Sequence, residues 1–259
     1  TNLSLGRIDE TAANANRNQL KITTDYQKLV SVDLAIEAVF ESVSVKQNVL
    51  QSLEAVLRPD AVIATNTSYL DVNMLANALD DPSRLVGLHF FAPAHIMKLL
   101  EIVKGEVTSP KALAMGYAVA KCLGKIPVVA GVCDGFIGNR ILARYREAAD
   151  TLLMDGCTPW DIDAAMVDFG YAMGPYEAQD LSGLDIAHAN RRRQDDTRDP
   201  ARRYIPIADH VVAAGRLGRK TGAGWYQYPT TGGKNIDPVI DTMILQAAAA
   251  ANINRRAFT

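Results

Sequence analysis

The first half of this 259-residue chain alternates short β-rich runs with stretches of helical spacing. Three of the runs are continuously apolar or nearly so: Val32–Val39, Ala61–Thr65 and Leu85–Phe91. Alternation of strand and helix favours a parallel sheet, and a strand that is covered on both faces has an uninterrupted apolar sequence. The pattern therefore predicts an α/β fold with a doubly wound, mainly parallel sheet.

The remaining elements follow from the same reasoning. Further strands are predicted at Leu20–Thr23, Leu99–Val103 and Ile126–Ala130, and helices at Val43–Leu57, Val72–Leu79 and Lys111–Leu123. After about residue 132 the pattern becomes almost entirely helical, with helices predicted over Ile137–Met154, Pro159–Val167, Ile186–Asn190 and Ala208–Ala214. This change of pattern predicts an α/β domain followed by an all-α domain.

Composition excludes several classes of protein. The 27 basic and 29 acidic residues nearly cancel, which argues against binding a nucleic acid by charge alone. The basic stretch Arg191–Arg203 is interrupted by acidic residues and contains no aromatic residue, so we interpret it as solvated surface. No apolar run reaches the roughly 18 residues of a membrane span, so we expect no membrane partner. Three dispersed cysteines, Cys122, Cys133 and Cys157, fit neither a disulfide framework nor a zinc site and indicate a reducing compartment.

One motif is missing. An α/β domain beside a helical domain is typical of dinucleotide enzymes, but the sequence contains no Gly-x-Gly-x-x-Gly turn. Only Gly6 precedes the first strand-like run. Either the fold binds no dinucleotide, or the chain begins inside the domain, after its first βαβ unit.

Polar residues interrupt four otherwise apolar segments. His89 lies in the strand-like run LVGLHFF, and Glu101 is the lone charge in LLEIV. A buried carboxylate needs a partner, and a histidine bonded to it would form a general base. The alternatives are a satisfied core histidine and a glutamate that reaches solvent at a sheet edge. Ser68 could be a helix cap before Val72–Leu79 rather than a ligand of substrate.

The same ambiguity holds for the other two polar positions. Asn66 could cap the same helix, and Asn139, in the run DGFIGNR, could cap or form a turn. Spacing alone leaves these alternatives open.

Five ordered motifs resemble the 3-hydroxyacyl-CoA dehydrogenase family. They are ATNTSYL, HFFAPAHIMKLLEIVKG, GFIGNR, FGYAMGPYEAQDLSGLD and GRLGRKTGAGWYQY. The similarity is strongest to the dehydrogenase part of bifunctional enoyl-CoA hydratase/3-hydroxyacyl-CoA dehydrogenases of peroxisomal type and their bacterial relatives. The resemblance implies an incomplete Rossmann-like doubly wound sheet followed by an all-α domain. It places a truncated NAD-binding domain at 1–131, a helical domain at 132–228, and a linker with the start of a second helical repeat at 229–259.

The resemblance also implies a reaction and its residues. Family members oxidise (S)-3-hydroxyacyl-CoA to 3-oxoacyl-CoA with NAD in fatty acid β-oxidation. By correspondence, His89 takes the proton from the C3 hydroxyl and Glu101 orients it. Ser68 and Asn139 hydrogen-bond the oxygen functions of the substrate.

A second set of positions corresponds to cofactor contacts in the family. These positions are Glu37, Ala38, Glu41, Lys46 and Ser68. The chain departs from the family at Ala92, where many relatives have Asn, and in lacking the glycine-rich turn. The second departure predicts a fragment of a longer, multifunctional polypeptide.

The resemblance implies an acyl-CoA substrate, a homodimer formed through the helical domain, and a bacterial cytoplasmic or peroxisomal location. No metal is expected. Two alternatives stand beside this interpretation. One is a non-catalytic truncated domain retained for acyl-CoA binding or dimerisation. The other is a β-hydroxyacid dehydrogenase with a lysine base, although no lysine here has a comparable setting.

Overall fold

The computed structural model describes residues 3–4 and 6–256. Residues 1, 2 and 5 of the predicted 1–131 domain, and residues 257–259 of the predicted 229–259 segment, lie outside the described residues. The chain divides into two compact units between Arg140 and Ile141.

The first unit contains a five-stranded sheet whose strands follow chain order. The strands are β1 (Leu34–Glu37), β2 (Val62–Thr65), β3 (Leu85–Phe90), β4 (Leu99–Lys104) and β5 (Ile126–Gly131). β1, β2 and β3 are parallel, β4 is antiparallel to β3, and β5 is parallel to β4. Because of this reversal, the carboxyl ends of β1 to β3 and the amino ends of β4 and β5 share one edge of the sheet.

Helices cover both faces of this sheet. The helices that begin in this unit are α1 (Glu10–Asn18), α2 (Val43–Glu54), α3 (Val72–Ala76), α4 (Pro110–Cys122) and α5 (Gly138–Asp155). Along β2, Ile63 packs with residues of α2 and α3, whereas its neighbours Val62 and Ala64 belong to a second core with α4. Alternate side chains thus enter two different cores, which explains the continuous apolar runs. The predicted fold class is confirmed.

One predicted strand is wrong. Leu20–Thr23 forms no strand, and Leu20 and Ile22 are 73% and 98% exposed. In the part of the chain that the structure describes, β1 pairs only with β2, so this run has no partner strand. Without a partner strand, the run has no ladder of backbone hydrogen bonds to hold it as a strand.

The second unit is helical. Besides the rest of α5 it contains α6 (Pro159–Asp168), α7 (Pro175–Ser182), α8 (Leu184–Arg193), α9 (Ile207–Ala213) and α10 (Pro238–Ala250). Its hydrophobic core contains Leu153, Tyr176 and Trp225, together with Ile240 and Ile244 of α10. Helix α10 lies within the predicted 229–259 segment. Among the described residues, no helix combines the length and apolarity that crossing a membrane requires.

Two buried aspartates join the elements of this unit. Asp180 accepts hydrogen bonds from the backbone N–H groups of Trp225 and Tyr226 at 2.9 and 3.0 Å. Asp163 accepts from the Tyr176 N–H and from the Tyr226 hydroxyl. The aromatic segment at the end of the GRLGRKTGAGWYQY motif is thus a structural element of the helical unit.

Candidate active site

A histidine and a glutamate face each other at the shared edge of the sheet. His89 is the penultimate residue of β3, Glu101 is the third residue of β4, and the antiparallel register places them directly opposite. His89 Nδ1 lies 2.6 Å from Glu101 Oε2. The two residues are only 3% and 0% exposed. Glu101 therefore does not reach solvent, and the predicted pairing of these two residues is present in the structure.

The second oxygen of Glu101 binds the start of α5. Glu101 Oε1 accepts hydrogen bonds from the backbone N–H groups of Ile137 and Gly138, at 3.0 and 2.7 Å. Burial raises the pKa of Glu101, but the hydrogen bonds from His89, Gly138 and Ile137 outweigh it and leave the pKa below its ordinary value. An ionised carboxylate only accepts hydrogen bonds, so we assign the shared proton to His89 Nδ1. In the neutral form of the ring, the other nitrogen, Nε2, is then the one with the free lone pair.

Aromatic rings enclose the imidazole. The rings of Phe91 and Phe136 lie 4.5 and 5.6 Å from the His89 ring, centroid to centroid. Gly138 leaves room for Phe91, since a Cβ at this glycine would lie 2.6 Å from Phe91 Cζ. The apolar enclosure keeps water from the Nδ1 side and strengthens the hydrogen bond to Glu101.

The loop after β2 lies beside the end of β3. Asn66 Oδ1 accepts a hydrogen bond from the Phe90 N–H at 3.1 Å. Ser68, two residues further on, is half-buried. Neither residue caps α3, because Asp71 fills that position and accepts from the Asn73 and Met74 N–H groups. The capping alternative for Asn66 and Ser68 is therefore wrong.

Asn139 belongs to the same edge of the sheet. It is the second residue of α5 and directly follows Gly138, whose N–H binds Glu101. Within residues 3–4 and 6–256, neither the Asn139 amide nor the Ser68 hydroxyl has a hydrogen-bond partner. Both side chains thus have hydrogen-bonding capacity that no described residue uses.

The positions expected to contact a cofactor form a separate cluster at the ends of β1 and β2. Glu37 is buried, with Oε1 accepting from the Val39 N–H and from Lys46 Nζ. Lys46 is fully buried, whereas Ala38 is exposed in the loop after β1. Glu41 binds the loop that carries Ser68. The cofactor-contact role of these residues stays a prediction.

Sequence reasoning missed several polar partners. Thr65 donates its hydroxyl hydrogen bond to Glu37 Oε2 at 2.7 Å, and Thr67 donates to Glu41 Oε1 at 2.6 Å. It also missed the backbone N–H groups of Ile137 and Gly138 as donors to Glu101. The two threonines lie in the run ATNTS, so their position beside two glutamates follows only from the pairing of β1 with β2.

Comparison with known proteins connects this geometry with a family. The family profile described as "3-hydroxyacyl-CoA dehydrogenase, NAD binding domain" matches residues 1–133. The profile of the family's C-terminal domain matches residues 135–228. The chain belongs to the 3-hydroxyacyl-CoA dehydrogenase family. The resemblance predicted from the motifs is confirmed, and the first unit corresponds to the family's NAD-binding domain.

Relatives in this family include multifunctional proteins. The chain is 43% identical over 258 residues to the peroxisomal bifunctional enzyme of Danio rerio, covering 95% of this chain and 36% of that protein. It is 36% identical over 259 residues to a fatty acid oxidation complex subunit alpha of Pseudomonas putida, covering 98% of this chain and 36% of that protein. The chain thus spans about a third of the length of these relatives.

Solved structures share the fold. The crystal structure of M. tuberculosis FadB2 is 34% identical with a TM-score of 0.80, over 88% of this chain and 82% of that one. The (S)-3-hydroxybutyryl-CoA dehydrogenase PaaH1 from Ralstonia eutropha is 32% identical with the same TM-score of 0.80, covering 88% of this chain and 82% of that one.

The described residues offer polar groups that the reactive end of NAD and a substrate could use. The free Nε2 of His89 and the uncommitted side chains of Ser68 and Asn139 all belong to the edge where open α/β sheets bind ligands. The pyrophosphate end has no such support, because no strand-to-helix turn in the described ranges carries a Gly-x-Gly-x-x-Gly sequence. At the amino end of α5, the Glu101 carboxylate already binds the N–H groups of Ile137 and Gly138.

Proposed function

We propose that the protein carrying this chain oxidises (S)-3-hydroxyacyl-CoA to 3-oxoacyl-CoA with NAD, in fatty acid β-oxidation. The observation that supports this most strongly is the buried hydrogen bond between His89 Nδ1 and Glu101, which leaves Nε2 free as a base. A base of this kind suits the removal of a hydroxyl proton, and family membership supports the acyl-CoA substrate class.

Each residue of the dyad has a defined task. His89 Nε2 takes the proton from the C3 hydroxyl, and the C–O bond becomes a carbonyl as the C3 hydrogen leaves with its electron pair. NAD, when bound, accepts that hydride and thereby supplies the oxidation. Glu101 keeps the proton of the neutral ring on Nδ1 and stabilises the imidazolium that forms. Such general-base action contributes roughly 10²–10⁴-fold to the rate.

The neighbouring polar groups orient the substrate. The Ser68 hydroxyl and the Asn139 amide donate hydrogen bonds to the C3 oxygen and to the thioester oxygen, and thereby place C3 against His89. Ser68 and the loop that contains Ala38 would hold the nicotinamide end of the cofactor. Donors that are fixed before the reaction stabilise the developing charge without reorganisation.

The test is oxidation of NADH with acetoacetyl-CoA, followed at 340 nm, in the complete gene product that carries this chain. We expect turnover that His89→Ala reduces by about 10²–10⁴-fold. Isothermal titration of acetoacetyl-CoA is the companion measurement. Binding of the acyl-CoA without any turnover would contradict the proposal and favour a non-catalytic acyl-CoA-binding domain.

Two further expectations accompany the proposed function. A homodimer formed through the helical domain predicts a molar mass by light scattering that rises with concentration. A mass equal to the monomer at every concentration would contradict it. The relatives include peroxisomal and bacterial proteins, and we propose one of these two settings for this protein.

A further inference from the structure

The backbone of the Ser68 loop is held by one carboxylate. Glu41 Oε1 accepts hydrogen bonds from the Ser68 N–H at 2.9 Å, from the Tyr69 N–H at 3.2 Å and from the Thr67 hydroxyl at 2.6 Å. Three donors from consecutive residues converge on a single oxygen. Such a clamp fixes the backbone of Ser68 directly, and through it the direction of the Ser68 side chain.

Lys46 in turn holds Glu41. Its ammonium lies 3.4 Å from Glu41 Oε2, 2.8 Å from Glu37 Oε1 and 3.3 Å from the Val39 carbonyl oxygen. Lys46 donates hydrogen bonds to Glu37 and to the Val39 carbonyl, and its contact with Glu41 is an ion pair. Because the Lys46 side chain is 0% exposed, none of its surface is available to a bound molecule.

Glu37 anchors the network in the sheet. Its Oε2 accepts from the Thr65 hydroxyl at 2.7 Å, and its Oε1 accepts from the Val39 N–H at 2.6 Å. Glu37 and Thr65 are direct neighbours in the pairing of β1 with β2. The polar chain therefore runs from the strand ends through Lys46 and Glu41 to the backbone of Ser68.

We infer that Glu41 is a positioning residue for Ser68, supported by an ion pair with Lys46, which also binds Glu37. This role differs from the direct cofactor contact that the resemblance implies for both residues. Glu41 Oε1 already accepts three hydrogen bonds from the Ser68 loop, and Oε2 forms the ion pair with Lys46. Burial raises the pKa of Glu41, but the hydrogen bonds from Thr67 and Ser68 and the charge of Lys46 outweigh it, so the pKa lies below its ordinary value.

Glu54 provides a matched control. It is the last residue of α2, and its carboxylate accepts from the Asp80 and Asp81 N–H groups at 2.8 and 3.0 Å. Glu54 thus clamps a loop by the same chemistry, but at the other end of α2 from Lys46. Removing it frees two backbone N–H groups from a carboxylate without touching Ser68.

The first readout is amide hydrogen exchange, which requires no turnover. In Glu41→Ala the Ser68 amide is expected to exchange about 10-fold faster, the effect of losing a hydrogen bond to a charged group. The Tyr69 amide, which keeps the Thr67 hydroxyl oxygen at 3.4 Å, is expected to change less. Glu41→Gln keeps an acceptor oxygen and restores most of the protection. Glu54→Ala accelerates Asp80 and Asp81 and leaves Ser68 unchanged. Unchanged exchange of Ser68 in Glu41→Ala would overturn the inference.

The second readout separates positioning from direct cofactor binding. The functional consequence rests on the proposed function. In the complete gene product, we expect Glu41→Ala to lower kcat about 10-fold and Glu41→Gln to restore it. In a Ser68→Ala background, Glu41→Ala is expected to cost little more. An undiminished cost in that background, or a rise in the NAD KM that Glu41→Gln shares, would overturn the inference. Absence of turnover in the wild type would refute the proposed function, while the exchange data still decide the role of Glu41.

Discussion

Replacing Glu101 by glutamine should reverse the tautomer of His89. The substitution preserves the size of the side chain but replaces one acceptor oxygen by an NH2 donor. Oε1 now accepts from two backbone N–H groups, of Ile137 and Gly138, while Oε2 faces His89 Nδ1. The single oxygen of the glutamine amide can therefore face either the two backbone N–H groups or His89 Nδ1.

The number of hydrogen bonds kept in each orientation decides between the two. With the oxygen toward α5, both backbone N–H groups keep their acceptor, and the NH2 group faces Nδ1. The opposite orientation leaves these two part-buried N–H groups without an acceptor, and such a loss costs about 1–3 kcal/mol for a buried group. The first orientation should prevail, and it requires Nδ1 to accept a hydrogen bond. The ring proton then lies on Nε2, and the base is lost.

Long-range ¹H–¹⁵N correlation spectra of histidine-labelled protein distinguish the two tautomers. The chain has four histidines, and the His89→Ala variant assigns the His89 signals by their absence. We expect a neutral ring protonated at Nδ1 in the wild type and at Nε2 in Glu101→Gln, with turnover falling about 10²–10⁴-fold. An Nδ1–H tautomer that persists in Glu101→Gln would refute this reasoning.

Two further predictions concern stability. Gly138→Ala places a methyl group 2.6 Å from Phe91 Cζ, so we expect a loss of about 1–3 kcal/mol in urea unfolding; an unchanged midpoint would show that the ring moves freely. Asp209 accepts from Arg191 and Arg192 at 2.8 and 2.6 Å. Burial raises its pKa, but the Tyr204 hydroxyl and Arg191 outweigh it and lower the pKa to about 2. A carboxyl group with a lowered pKa stabilises the folded state above the unfolded pKa of about 3.9, and this contribution is lost as the pH falls toward 2. Over this range the free energy of unfolding of the wild type should therefore fall by roughly 2 kcal/mol more than that of Asp209→Asn. Parallel pH profiles of unfolding free energy for the two proteins would contradict this assignment.

The sequence predicted the central strands β2 and β3 well because both are buried on both faces. β2 and β3 read as uninterrupted apolar runs, and their bounds differ from the predicted ones by single residues. Leu20–Thr23 has the same β propensity but no partner strand among the described residues, and its side chains remain exposed. Local propensity alone therefore does not make a strand, because pairing supplies its backbone hydrogen bonds.

The reactive pair could be predicted as residues but not as a geometry. A lone charge in an apolar run indicated that Glu101 needs a partner. The direct opposition of His89 and Glu101 depends on the antiparallel register of β4, which the predominantly parallel prediction did not contain. The role of Glu41 as a clamp could not be predicted from the sequence either, because its donors lie 26 to 28 residues away along the chain.

The most direct test of the dyad is a double-mutant cycle on kcat/KM in the complete gene product. The variants are His89→Ala, Glu101→Gln and the two combined, assayed with acetoacetyl-CoA and NADH. Residues that act as one unit show strongly non-additive effects. We predict that the double variant is no slower than His89→Ala alone, to within about 3-fold. Losses that multiply would show that Glu101 acts independently of His89 and would contradict the mechanism.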